Sequence, residues 1–107
     1  MVDTFLAKDH LNHAIQALAP DITQTVAFSG TSAATANALG KHIVVIRVLA
    51  SADCFIKIDT GTPTATTSDT PLAAGVPEYF RVDGYKTIKV AAVQSSTSGN
   101  LYVTEMI

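Results

Sequence analysis

The residues that could carry chemistry in this chain are few, and their spacing decides how far each idea goes. His10 and His13 lie three apart, so on a helix their rings would sit on neighbouring positions and reach one metal ion. A metal site needs at least a third ligand, and Asp9 is too close in sequence to serve, so two solvated histidines is the simpler reading. His42 opens an apolar run and reads as a strand-edge residue. Cys54 would be a nucleophile only beside a base that holds its thiolate; alternation with Ile56 and Ile58 makes it a small core residue instead. Asp53, Asp59, Asp69, Glu78, Asp83 and Glu105 fall at strand ends and turns, with no pair in an acid–base arrangement. Calcium at Asp59 or Asp69 would find few, irregularly spaced oxygens. Gly61 has no Lys-Ser or Lys-Thr pair and no helix after it, so it is no phosphate cradle. Tyr79, Phe80, Tyr85 and Tyr102 offer the aromatic faces of a sugar-binding module, but the chain has no tryptophan. Strand alternation sends Phe80 inward and leaves the three tyrosines between cross-strand packing and ligand contact. The expectation is therefore no catalytic residue, no metal, no cofactor and no enzymatic activity.

The elements that would position these residues are mostly strands. About Thr4 to Leu18 is the exception: Ala7, Leu11, Ala14, Ile15 and Leu18 recur at helical spacing, which predicts one amphipathic helix. Asp3 or Thr4 would cap it and Pro20 would stop it near Ala19. From Ile22 the period becomes two, and Ile22, Val26 and Phe28 mark a first strand closed by Gly30. Ser32 to Leu39 is ambiguous, and a strand with Ala34, Ala36 and Ala38 inward is preferred. His42 to Leu49 is apolar on both sides except at Arg47, the pattern of a central strand covered on two faces. Cys54 to Ile58 follows after a turn and is expected to pair with it as a hairpin. Asp59 to Thr70 holds no large apolar side chain and is expected as an exposed loop, of a length usually functional or mobile. Pro77 to Val82 and a strand after Asp83-Gly84 form a second expected hairpin. Gln94 to Asn100 makes a turn before the closing strand Leu101 to Ile107, which would stitch that end into a sheet. Roughly six or seven short strands separated by turn signals predict an all-β fold, an antiparallel β-sandwich or small barrel. The expected organisation is an N-terminal helix over 1–20 and a β-sandwich over 21–107.

Composition narrows the partners. The chain has 107 residues, room for one domain and one modest core. Charged residues are 15% of it against about 25% in an average soluble protein, so its surface is neutral and rich in hydroxyls. A net charge of -2 without a basic cluster argues against nucleic acid. No apolar run approaches the ~20 residues that span a bilayer. The start lacks the basic and apolar regions of a secretion signal, and the lone Cys54 has no internal partner for a disulfide, so a cytoplasm-like compartment is expected.

Four stretches carry a resemblance: Ser32-Ala33-Ala34 before an apolar strand, Ala52 to Ile58 followed by the Thr/Pro/Ser loop, Pro77 to Val82, and the close Gly99 to Met106. From Thr31 onward the chain resembles small virion structural proteins of tailed bacteriophages, of the capsid cement, decoration or head–tail accessory type. That resemblance implies a β-sandwich, jelly-roll-like, assembled as a homo-oligomer such as a trimer. It implies contacts with major capsid or neck proteins, and a place in the virion after assembly in the host cytoplasm. It carries over no catalytic residue. Phe5, Leu11, Ile15 and Leu18 are the expected contact stripe of the helix, and Thr62, Thr64, Thr66, Thr67 and Thr70 the expected contacts of the loop. The alternative is a ligand- or glycan-binding β-sandwich module using Tyr79, Tyr85 or Tyr102.

Overall fold

In the computed structural model, which describes residues 7–8, 14–15 and 18–107, every regular element is a β-strand. The strands are β1 (Ala7–Lys8), β2 (Ala14–Ile15), β3 (Pro20–Phe28), β4 (Ala33–Ala34), β5 (Val45–Ala50), β6 (Cys54–Thr60), β7 (Thr70–Leu72), β8 (Glu78–Arg81), β9 (Ile88–Gln94) and β10 (Gly99–Met106). β1 and β2 pair with each other, Ala7 opposite Ile15 and Lys8 opposite Ala14. The other eight make two four-stranded antiparallel sheets, in the orders β3-β10-β5-β8 and β4-β9-β6-β7.

Alternation in each strand puts one set of side chains into a common core. Val26 and Phe28 of β3, Ile46, Val48 and Ala50 of β5, and Leu101 and Val103 of β10 supply the first sheet's share. Cys54 and Ile56 of β6, Leu72 of β7, and Ile88, Val90 and Ala92 of β9 supply the second sheet's. Fully burying a large aliphatic or aromatic side chain contributes about 1.5–3 kcal/mol, so this shared cluster is what holds the sheets face to face. Phe80 of β8 packs against it from a half-buried position.

Several local expectations are corrected here. The helix over Thr4 to Leu18 is not shown: Ala7–Lys8 and Ala14–Ile15 are paired strands, and Phe5 and Leu11 lie outside the described residues. A helix of that length has little stability of its own without packing. The stretch Ser32 to Leu39 yields only the two-residue β4, and Ala36 is exposed while Thr35 and Leu39 are buried. Thr35 enters because its hydroxyl accepts a hydrogen bond from the Val90 N–H at 3.3 Å. β5 is covered on one face only, with Val45, Arg47 and Leu49 half-buried on the other.

Neither expected hairpin forms. β5 lies in the first sheet and β6 in the second, and β8 and β9 are divided the same way. Ser51 to Asp53 therefore carries the chain from one sheet to the other rather than turning it back. Of the eight strands in these sheets, β6 and β7 alone are both consecutive and paired.

Candidate functional site

The Thr/Ser loop between β6 and β7 is the first surface to place. Thr62, Thr64, Thr66 and Thr67 of the loop are exposed, as is Thr70, which was expected in the loop and is instead the first residue of β7. The loop is nonetheless fastened at its middle. Ala65 is 4% exposed, seated with Ala91 and Val93 of β9 against Phe55 and Ala34 on the outer side of the second sheet. Its N–H donates to the Ser32 hydroxyl at 2.8 Å. The Asp69 carboxylate then accepts from the Thr66 N–H at 2.7 Å and from its hydroxyl at 3.2 Å, closing the second half on itself. A carboxylate that bonds nearby backbone is what makes Asp a turn former. The result is a folded strap that presents its threonines outward, with the Thr66 hydroxyl already engaged.

The outer face of the first sheet is the second surface. Because Leu101 and Val103 point inward, Tyr102 points out; it stands opposite Thr25 of β3 and Leu49 of β5. One step along, Arg47 stands between Thr104 of β10 and Tyr79 of β8. Directly opposed residues in an antiparallel sheet have Cβ atoms about 4.5–5.5 Å apart, so these side chains form one continuous field. Tyr79 is 55% exposed and Tyr102 38%. The Thr23 and Thr104 hydroxyls are hydrogen-bonded at 3.0 Å across β3 and β10. Tyrosine and arginine are among the residue types that dominate protein–protein contacts.

The third surface is where the segment before β5 meets the turn after β8. His42 has φ 69°, the left-handed region, and is the one non-glycine residue there among the described residues. The sequence reading of it as a strand-edge residue is thus corrected. Its N–H donates to the Gly84 carbonyl at 2.8 Å, and the Val82 N–H donates to the Val44 carbonyl at 2.9 Å. The His42 and Tyr85 rings meet edge to face, centroids 5.2 Å apart. A side chain at Gly84 would come within 2.6–2.8 Å of the His42 and Ile43 backbone, so only glycine permits this approach.

Known proteins do not extend this picture. No family model, curated protein or solved structure matches the chain.

Reaction chemistry finds no assembled machinery among the described residues. Cys54 is buried in the core, and its thiol is pushed up from about 9 to about 11 by burial, with the Asp53 charge adding to it. A thiol so protonated is not a nucleophile at neutral pH. No three of the described histidines, cysteines and carboxylates are grouped to hold a metal ion. His10 and His13 lie outside the described residues, as do Phe5 and Leu11; Ile15 is placed only by its backbone pairing, and Leu18 is 38% exposed. Sequence reasoning missed Arg47 and Leu49 as outward partners of the tyrosines. Their alternation with Ile46 and Val48 was the available signal, masked by the apolar character of both sides of β5.

Proposed function

We propose that this chain is a non-enzymatic structural protein of a tailed-phage virion, one that stabilises or decorates the capsid or neck by contact between many copies. The observation that carries this reading is the outward face of the first sheet, where Tyr102, Leu49, Arg47 and Tyr79 adjoin across three strands. With charged residues at 15% of the chain, few charges need be stripped of water when such a face is covered, and each unpaired one would cost several kcal/mol. Modest contacts of this kind sum when many copies bind one particle.

The strand order supports a finer description of the fold. Numbered one to eight along the chain, the sheet strands run 1-8-3-6 and 2-7-4-5, the order two interleaved Greek keys produce. We read the fold as a jelly-roll-like β-sandwich, an architecture shared by viral capsid domains and by lectins. That comparison is an analogy of fold. The sequence resemblance from Thr31 onward points the same way. The partners in this reading are further copies of the chain, in a trimer or another closed ring, and the major capsid or neck proteins.

Light scattering of the full chain, alone and mixed with tailed-phage particles stripped of accessory proteins, tests the proposal. A defined oligomer, or stoichiometric capture by the particles, is expected, and Arg47→Glu should abolish it without altering the melting temperature. A monomer that sediments apart from every particle tried would overturn the reading. The second reading, a ligand-binding module, draws on one observation, the 84% exposure of Tyr85.

A further inference from the structure

We infer that the cleft lined by Val44 and residues 81–85, beside the junction of the 40–44 segment with the 82–86 turn, binds a saccharide bearing a carboxylate. This inference stands apart from the virion proposal and shares no residue with the sheet face that carries it. The cleft has a volume of about 430 Å³ and is lined by Val44, Arg81, Val82, Asp83, Gly84 and Tyr85, within the size range of small-ligand sites.

Its parts match the parts of such a ligand. Tyr85 is 84% exposed and Val44 49%, an aromatic ring and an apolar floor against which the C–H face of a pyranose ring can lie. The Arg81 guanidinium offers a planar pair of donors whose spacing suits a carboxylate, which distinguishes an acidic sugar from a neutral one. Asp83 supplies acceptors for ring hydroxyls. Its Oδ1 accepts from the Tyr85 N–H at 3.0 Å and its Oδ2 lies 3.8 Å from the Lys86 ammonium, so the carboxylate is held in place with lone pairs left over.

The site is also preformed. The His42 N–H to Gly84 bond, the Val82 N–H to Val44 bond and the edge-to-face His42–Tyr85 contact lock the two segments together. His42 keeps a left-handed backbone to make this junction. A site whose walls are already ordered loses less entropy when it binds.

The test is a titration of the full-length, isotope-labelled chain with trigalacturonate and, separately, with maltotriose, read from backbone amide NMR shifts. Trigalacturonate should move the amides of Ile43, Gly84 and Tyr85 at millimolar concentration, and maltotriose should not. Arg81→Ala and Tyr85→Ala should each weaken binding tenfold or more, Arg81→Ala with an unchanged melting temperature because its side chain is exposed and makes none of the contacts that join the two segments. Arg81→Lys should recover only part of the loss. The inference is overturned by silence at those amides, by an equal response to maltotriose, or by undiminished binding in Tyr85→Ala, which would mean charge attraction alone.

Discussion

Gln24 and Asn37 grip each other as though they were paired strands. The Gln24 side-chain amide donates to the Asn37 carbonyl at 3.0 Å, and its oxygen accepts from the Asn37 N–H at 3.0 Å. Gln24 lies on β3 at the margin of the first sheet, and Asn37 lies just beyond β4 at the margin of the second. One side chain thus ties the two sheets along an edge and occupies backbone groups that would otherwise invite another strand.

Gln24→Ala should therefore lower stability by about 1 kcal/mol, the net worth of a hydrogen bond or two in a partly solvated position. Urea denaturation would measure it. A Gln24→Glu change keeps the acceptor and loses the donor, and should fall between the two.

Glu105 is 3% exposed, and its Oε1 accepts the Gly40 N–H at 3.1 Å. Glu105→Gln should preserve that bond at little cost, whereas Glu105→Ala should strand the amide and cost about 1–3 kcal/mol. Gly40→Ala should be harmful too, because the new methyl would stand 2.6 Å from the carboxylate oxygen. Thermal melts of the three variants should rank Glu105→Gln well above the other two.

Cys54 makes stability depend on alkaline pH. With the folded thiol near 11 and the unfolded one near 9, the unfolded chain loses its proton first as pH rises. Stability is then complete below about pH 9 and declines as pH climbs from about 9 to about 11. Cys54→Ala should remove that decline. At pH 8 the native thiol should resist a disulfide reagent that reacts at once in urea.

Ala65→Asp should unfasten the strap between β6 and β7, since a carboxylate cannot share the apolar seat formed with Ala91 and Val93. Limited proteolysis should then cut within residues 61–69 while the remaining strands keep their amide-exchange protection. Cutting at the same rate as in the unchanged chain would show that Ala65 does not hold the strap.

Gly84→Ala should prise the turn away from His42, and should shift the amide signals of residues 40–44 along with its own. Indifference at His42 and Ile43 would mean that the close approach is not a constraint.

The longer strands were legible in this sequence, while the short ones at Ala33–Ala34 and Thr70–Leu72 and the partners of all of them were not. Cys54, Ile56 and Ile58 announce one face of β6 by simple alternation, and Val26 with Phe28 does the same for β3. Pairing is a different matter, because Asp83-Gly84 reads alike whether the chain turns back into a hairpin or steps across to the opposite sheet. Nothing local distinguishes Arg81 joined to Val45 from Arg81 joined to its own successor strand; the choice is made by burial summed over both sheets. Thr35 escaped notice because its hydroxyl is satisfied by Val90, a residue 55 positions away. Ala65, one small apolar residue among threonines, gave almost no signal of being seated. The Tyr85 cleft is half legible: the sequence offers the aromatic ring, while its guanidinium neighbour Arg81 and the backbone of His42 emerge only from the fold.

β10 lies between β3 and β5, and Thr104 meets Thr23 across a gap of 81 residues in sequence. As the chain leaves a ribosome, β3 and β5 must wait with open edges until residues 99–106 have emerged. Pairings of such long range close slowly, and exposed strands are the ones that find neighbours instead. In a cell making many copies at once, the hazard is greatest in that interval, so the yield of folded protein should respond to expression rate and to chaperones more than to equilibrium stability.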